Sequence, residues 1–220
     1  MRVRPEGAVS TPKRLIVGIS GASGAVYGIR ALEILRDAAG VETHLIVSKS
    51  ARATIKHETD YSMDQVKALA DVVHSDNDIG AAVSSGSFRT NGMLIAPCSV
   101  KTLSGVANSY DDNLIVRAAD VCLKERRPVV LLLRETPLHA GHIRLMAGCA
   151  ESGATVMPPV PAFYTLPNTL ADVVEHTVTR ALERFDMAPD GAVRWSGMGE
   201  SMAELPLSGN EAAGSLRCAT

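Results

Sequence analysis

The sequence predicts one α/β domain, a doubly wound parallel sheet with helices on both faces. Three observations carry this reading. Short apolar runs alternate with longer stretches of helical periodicity, as strands joined by crossover helices do. The runs are apolar almost throughout instead of alternating, which suits strands covered on both faces. The first run also leads straight through a Gly-rich turn into a helix, in Lys13-Arg-Leu-Ile-Val-Gly-Ile-Ser-Gly-Ala-Ser-Gly-Ala-Val-Tyr-Gly28. The class is the Rossmann/flavodoxin-like one, in which ligands bind at the carboxyl ends of strands near a topological switch point.

Each element has its own signal. Leu15, Ile16, Val17 and Ile19 form the first strand, and Ala25 to Ala39 carries a helical apolar pattern. Thr43 to Val47 reads as a second strand, Lys49 to His57 as a helix start, and Ser62 to Ala70 as a short helix. Gly92 to Ala96 is a third strand, followed by a helix from about Ser99 to Ala107 and another over Asn113 to Glu125. Pro128 to Leu133 is strongly apolar and extended. Thr136-Pro137 then suits an N-cap with proline at the first helical position, opening a helix to Ser152 that stops at Gly153. Thr155 to Met157 is a short strand, and Pro158-Pro159-Val-Pro161 breaks regular structure. Leu170, Val173, Val174, Val178, Ala181, Leu182 and Phe185 define a last amphipathic helix.

The domain is expected over 13–195, with residues 1–12 and 196–220 as flexible tails. A net charge of −2 and 4% aromatic residues give no basis for nucleic acid or an anionic membrane as partner. No apolar run approaches the roughly 20 residues of a membrane helix. Cys98, Cys122, Cys149 and Cys218 lie far apart with no C-x-x-C pair, as expected of reduced thiols in the cytoplasm. His139 and His142 share a helix face but lack a third ligand of matching spacing, so no metal site is expected.

The first turn spaces its glycines as G-x-x-G-x-x-G, at Gly18, Gly21 and Gly24, which is neither dinucleotide nor ATP-loop spacing. It reads either as an anion-binding helix start or as glycines that let a helix pack close to a strand. Four strand ends are polar: Ser20-Gly-Ala-Ser23, Ser48-Lys49-Ser50, Pro97-Cys-Ser-Val-Lys-Thr102 and Arg134-Glu135-Thr136. Each alone is an ordinary cap, but together they lie where ligands bind. Ser99, Thr102 and the helix amides beside them suit a phosphate, with Lys101 adding charge. Asn113, Arg117, Asp120 and Lys124 form one polar stripe on an otherwise apolar helix, either a solvent face or a site or subunit contact. Glu58 and Glu135 are candidate general bases, and Arg180 flanks the apolar stripe of the last helix.

Gly18-Ile-Ser-Gly-Ala-Ser-Gly24, Ser84-Ser-Gly-Ser-Phe88, Pro97-Cys-Ser-Val-Lys-Thr102, Arg117-Ala-Ala-Asp120, Leu123-Lys-Glu-Arg-Arg-Pro128, Arg134-Glu-Thr-Pro137, Met157-Pro-Pro159 and Ala162-Phe-Tyr164 occur in that order. Together they closely resemble the flavin prenyltransferases of the UbiX type, over essentially Lys13 to Trp195. The resemblance implies FMN as the bound flavin, and a dimethylallyl group joined from dimethylallyl monophosphate to flavin N5 and C6 without a metal. The product, prenylated FMN, would serve a UbiD-type decarboxylase. Carried over by position, Gly21, Ala22 and Ser23 contact the flavin, and Ser48, Ser99, Val100, Lys101, Thr102 and Arg134 complete the FMN site. Lys124, Tyr164 and Arg180 hold the substrate phosphate, Ser23 and Glu135 relay a proton, and Glu58 assists deprotonation at C6. The family also implies a homo-dodecamer with sites at subunit contacts. Ile79 stands where some members carry tryptophan, and Leu145 where asparagine is frequent.

Other functions compete on the same fold. A non-catalytic FMN carrier needs the flavin motifs but not Lys124, Glu135, Tyr164 and Arg180. Flavoproteins that decarboxylate cysteine carry Pro-Ala-Ser-Ala-Asn-Thr where this chain has Pro97-Cys-Ser-Val-Lys-Thr102. A NAD-dependent dehydrogenase calls for an acidic residue at the end of the second strand, where Ser48 stands.

Overall fold

The computed structural model describes residues 12–192 together with Arg194 and Gly197. Apart from Pro12 and Gly197, the expected tails and Cys218 lie outside the described residues. The strands are β1 (Lys13–Ile19), β2 (Val41–Val47), β3 (Val72–Ser75), β4 (Met93–Cys98), β5 (Val129–Leu133) and β6 (Thr155–Val156). The helices are α1 (Ala25–Arg36), α2 (Lys49–Glu58), α3 (Met63–Lys67), α4 (Val100–Ala107), α5 (Leu114–Lys124), α6 (Ala140–Glu151) and α7 (Leu170–Leu182). All strand pairings are parallel, in the order β3-β2-β1-β4-β5-β6. The chain builds outward from β1 to β3 and then crosses back to β4, so the switch point lies between β1 and β4.

Alternate residues of β1 feed two cores. Leu15, Val17 and Ile19 pack with α1, α2 and α7, whereas Ile16 joins α4, α5 and α6 on the other face. Both faces of the central strands are buried, which explains why their sequences lack alternation.

Several expectations shift. α1 ends at Arg36, short of Ala39, because Gly40 turns the chain at φ 72° and its carbonyl accepts the Lys13 N–H. The short helix expected over Ser62 to Ala70 is a capped turn, Met63–Lys67, with Ser62 and Gln65 bonded reciprocally. β3 is additional to the expected strands: at the sheet edge, Val72 and His74 are half-buried while Val73 and Ser75 face water. α6 begins at Ala140, not at Thr136-Pro137. His139 caps it, Nδ1 accepting the Gly141 N–H at 3.0 Å, while the Thr136 N–H is taken by the neighbouring Glu135 carboxylate.

The Gly-rich turn serves close packing and chain reversal at different positions. A Cβ on Gly18 would lie 3.0 Å from Met93 and 3.5 Å from Ile115, so its absence lets β1 lie against α5. Gly28 faces the Ala96 carbonyl, where a Cβ would sit only 2.2 Å from the oxygen. We expect Gly28→Ala to lower stability by about 1–3 kcal/mol, as overpacking does. Gly148→Ala on α6, with nothing nearer than 3.7 Å to the added carbon, should be neutral or stabilising. Denaturant melts of the two variants check this contrast.

Candidate active site

The carboxyl ends of the strands are stitched together by hydrogen bonds that fix every candidate loop. Ser20, fully buried after β1, donates its Oγ–H to the Pro97 carbonyl and accepts the Ser99 N–H, both at 2.8 Å. The Ser48 N–H donates to Ile19, and the Arg134 N–H to Cys98, at 3.0 Å each. The β4–β5 register shifts between Ile95 and Cys98, where Pro97 has no N–H for the ladder. Ser20 is therefore a staple between β1 and β4, and the chemistry-bearing side chains radiate from it.

The turn after β1 ends at Gly24, the N-cap of α1, in the left-handed region at φ 99°. No side chain of the turn caps this helix. Instead Glu58, from the end of α2, accepts the Gly24 N–H at 2.8 Å, so a protein carboxylate occupies the positive end of α1. Burial raises the Glu58 carboxyl, but the Gly24 and Ala25 amides, the Ser23 hydroxyl and the Arg134 charge outweigh it and hold it below the ordinary glutamate range. Glu58 is thus an ionised acceptor in contact with Ser23. Arg134, after β5, faces the same group, and Glu135 follows it half-buried.

The hydroxyls expected at a phosphate sit on two helix starts that flank the end of β1. Ser48 caps α2 by accepting the Ala51 N–H at 3.1 Å, and Ser99 caps α4 by accepting the Thr102 N–H at 3.3 Å. Ser99 also donates to the Thr102 hydroxyl at 3.1 Å, and Val100 begins α4 half-buried. Lys101 does not add free charge there, because its Nζ is paired with Asp112 at 2.6 Å. Gly21 and Ala22 are half-buried between the two helix starts, and a Cβ on Gly21 would lie 2.2 Å from Ser50 Oγ. Cys98 beside Ser99 is no nucleophile, since burial pushes its thiol far above the ordinary cysteine range.

A cleft of about 1020 Å³ opens from Ser23, Glu58 and Arg134 between α1 and α7. Tyr27, which the sequence reading missed, lines it one turn into α1. Burial raises the Tyr27 phenol, with Arg134 pulling it down, so it remains protonated at neutral pH. Its signal was present in the Gly24–Tyr27 spacing, since its ring lies against the Gly24 backbone. Ile79 is exposed in the loop after β3, while Leu145 packs against the α4–α6 core.

The remaining candidates stand elsewhere. α5 starts where the Leu114 N–H meets the Asp76 carbonyl beyond β3, and it ends just before β5 begins. It therefore runs back along the sheet and carries Lys124 to the opposite edge, where Nζ pairs with Glu125 at 2.5 Å beside Gly86. Along the polar stripe of α5, Asn113, Arg117 and Asp120 are half-buried while Lys124 is exposed: Arg117 bridges Asp111 and Asp120 and donates to the Ser84 carbonyl. Tyr164 lies in the turn before α7, and its hydroxyl is bonded to His176 at 3.1 Å. Arg180, one helical turn beyond His176, pairs with Glu183 towards the end of α7. His176 also escaped the sequence reading, although its spacing to Arg180 places both on one helix face. Among the described residues no group of three metal-binding side chains converges, and no helix is long and apolar enough to cross a membrane.

The flavoprotein family model matches residues 4–178. Flavin prenyltransferase UbiX of Salmonella typhimurium is 62% identical over 187 residues, covering 84% of this chain and 99% of that protein. The enzyme of the same name from Thauera aromatica is 59% identical over 184 residues, covering 84% and 94% respectively. The crystal structure of AnUbiX (PadA1) in complex with FMN and dimethylallyl pyrophosphate matches with a TM-score of 0.82 at 49% identity, covering 84% of this chain and 98% of that one. A dodecameric FMN-dependent UbiX-like decarboxylase from Escherichia coli O157:H7 matches at 0.81 and 49% identity, covering 84% and 100%. With fold, strand-end residues and near-full-length likeness in agreement, this chain belongs to the flavoprotein family and, within it, to the flavin prenyltransferases of the UbiX type.

Proposed function

We propose that the protein joins the dimethylallyl group of a dimethylallyl phosphate to N5 and C6 of reduced FMN, making prenylated FMN for a UbiD-type decarboxylase. The observation that carries this reading is the pairing of Ser23 and Glu58 at the switch point of a chain 62% identical to a flavin prenyltransferase. The donor set fits FMN. Two helix starts with Ser48, Ser99 and Thr102 suit a phosphate monoester, and the small residues Gly21 and Ala22 lie half-buried on the turn beside them. With the α1 terminus taken by Glu58 and Lys101 by Asp112, phosphate recognition falls to the α2 and α4 amides and hydroxyls.

Bound reduced FMN would supply electron-rich N5 and C6 positions, one for each end of the allylic group freed as phosphate departs. Ser23 bridges that reaction centre to the Glu58 carboxylate, which is ionised and positioned to accept a proton. Glu135, two residues beyond the end of β5, would pass the N5 proton, received through Ser23, to the departing phosphate, while Glu58 would take the proton lost from C6. Lys124, Tyr164 and Arg180 stabilise the phosphate charge, a task that a divalent cation performs in other phosphate chemistry.

One chain does not bring this set together. Ser23, Glu58 and Glu135 lie at one sheet edge, Lys124 at the other, and Arg180 towards the end of α7. Assembly of copies would complete the site from several chains, and one relative is dodecameric. Exposed apolar side chains at Leu138, Ile143, Val160, Phe163 and Leu170 fit such contacts.

Incubating the protein with reduced FMN and dimethylallyl monophosphate should give a flavin heavier by one dimethylallyl unit, read by mass spectrometry, and an unchanged flavin mass overturns the reading. Glu58→Gln should keep FMN binding and lower kcat by about 100-fold or more, the scale of a lost general base. Hybrid oligomers of Glu58→Gln and Lys124→Ala chains should recover part of the activity that each variant lacks alone. No recovery would place both residues in the same chain's site.

A further inference from the structure

Tyr164 sits on a single 3-10 turn, Phe163–Thr165, which is followed by Leu166 at φ 51°. It is 47% exposed, so core packing does little to fix a hydroxyl at its tip. His176 supplies a fixed point on α7. Its Nε2 is 3.1 Å from the Tyr164 hydroxyl, and the two rings meet edge-on at 87° with centroids 5.7 Å apart. Arg180 follows four residues later on the same helix face, so His176 stands between the phenol and the guanidinium. Burial and then the Arg180 charge lower the His176 pKa against the opposing pull of Glu183, which keeps the imidazole neutral at pH 7. A neutral ring adds no charge for a phosphate, but its nitrogen can hold a phenol by either a donated or an accepted hydrogen bond.

We infer that His176 is a positioning residue for substrate phosphate binding, acting through Tyr164. This rests on the reading of Tyr164 and Arg180 as phosphate-holding residues. His176 ties the Tyr164 hydroxyl to the helix that carries Arg180, so hydroxyl and guanidinium present a preset gap to the ester.

His176→Ala should raise the KM for dimethylallyl monophosphate up to about tenfold, the scale of one hydrogen bond, with kcat and FMN affinity changed less than twofold. His176→Gln, which keeps a hydrogen-bonding group at similar reach, should recover most of the loss. Tyr164→Phe should raise KM as well, and adding His176→Ala to it should cost nothing more, since the two act in series. An unchanged KM in His176→Ala, a loss of FMN affinity alongside the KM effect, or additive effects in the double variant would each overturn the inference. If Tyr164→Phe leaves KM unchanged, the phosphate role of Tyr164 itself is wrong, and an effect of His176→Ala would then have to arise by another route. A KM effect in Tyr164→Phe but not in His176→Ala removes only the positioning role.

Discussion

The site depends on the buried Ser20 side chain. At a parallel sheet's carboxyl edge, the strands have finished their ladder and their polar ends must be satisfied locally. Ser20 does this for two strands at once, bonding the last carbonyl region of β4 and the first amide before α4. With Ser48 tied to Ile19 and Arg134 to Cys98, four loops from distant parts of the chain share one frame. Removing the hydroxyl would leave the half-buried Ser99 amide without its acceptor and the buried Pro97 carbonyl with only the Ser20 N–H, and both belong to the segment that carries Ser99. The strand-end hydroxyls therefore divide into two kinds: Ser20 faces inward and builds the edge, while Ser23, on the same turn, faces the cleft and meets Glu58.

Charge is distributed over that frame so that its positive ends are not interchangeable. Three helices begin at or beside the switch point. α1 receives the Glu58 carboxylate, whereas α2 and α4 are capped by neutral hydroxyls and keep their terminal amides for an external anion. An anion on α1 would confront Glu58, so an external anion is favoured at the α2 and α4 starts over the α1 start. The same argument explains why Lys101 contributes little: Asp112 neutralises it before any ligand arrives.

Sequence pattern reached most of the sheet because its strands are buried on both faces and leave continuous apolar runs. It missed β3, whose four residues include only two apolar ones and which pairs along one side only. It misplaced the start of α6 because Thr136-Pro137 looks like a cap, while the bond that fixes the boundary is made by a histidine, a residue type with no capping signature. At the site, the Gly-rich turn was legible as a close-approach segment, and Ser48 and Ser99 as helix starts. The contact between Glu58 and Gly24 was not, because 34 residues separate them and only the α1–α2 packing brings them together. Tyr27 and His176 lay within one turn of residues already singled out, so helical spacing alone would have found them.

The direction of α5 is the consequence a motif could not display. Lys124 belongs to a sequence block that resembles one of the prenyltransferases, and read as a string it lies only ten residues before Arg134. Parallel β-topology sets those ten residues at opposite ends of the sheet, because a crossover helix must run antiparallel to the strand it precedes. Every residue near the end of such a helix faces away from its own switch point. A cation placed there serves a phosphate at the strand ends only when another copy brings its own sheet edge alongside. On the proposed reading, oligomerisation would be part of how the phosphate is recognised, and the exposed apolar side chains at Leu138 and Ile143 would be available to such contacts.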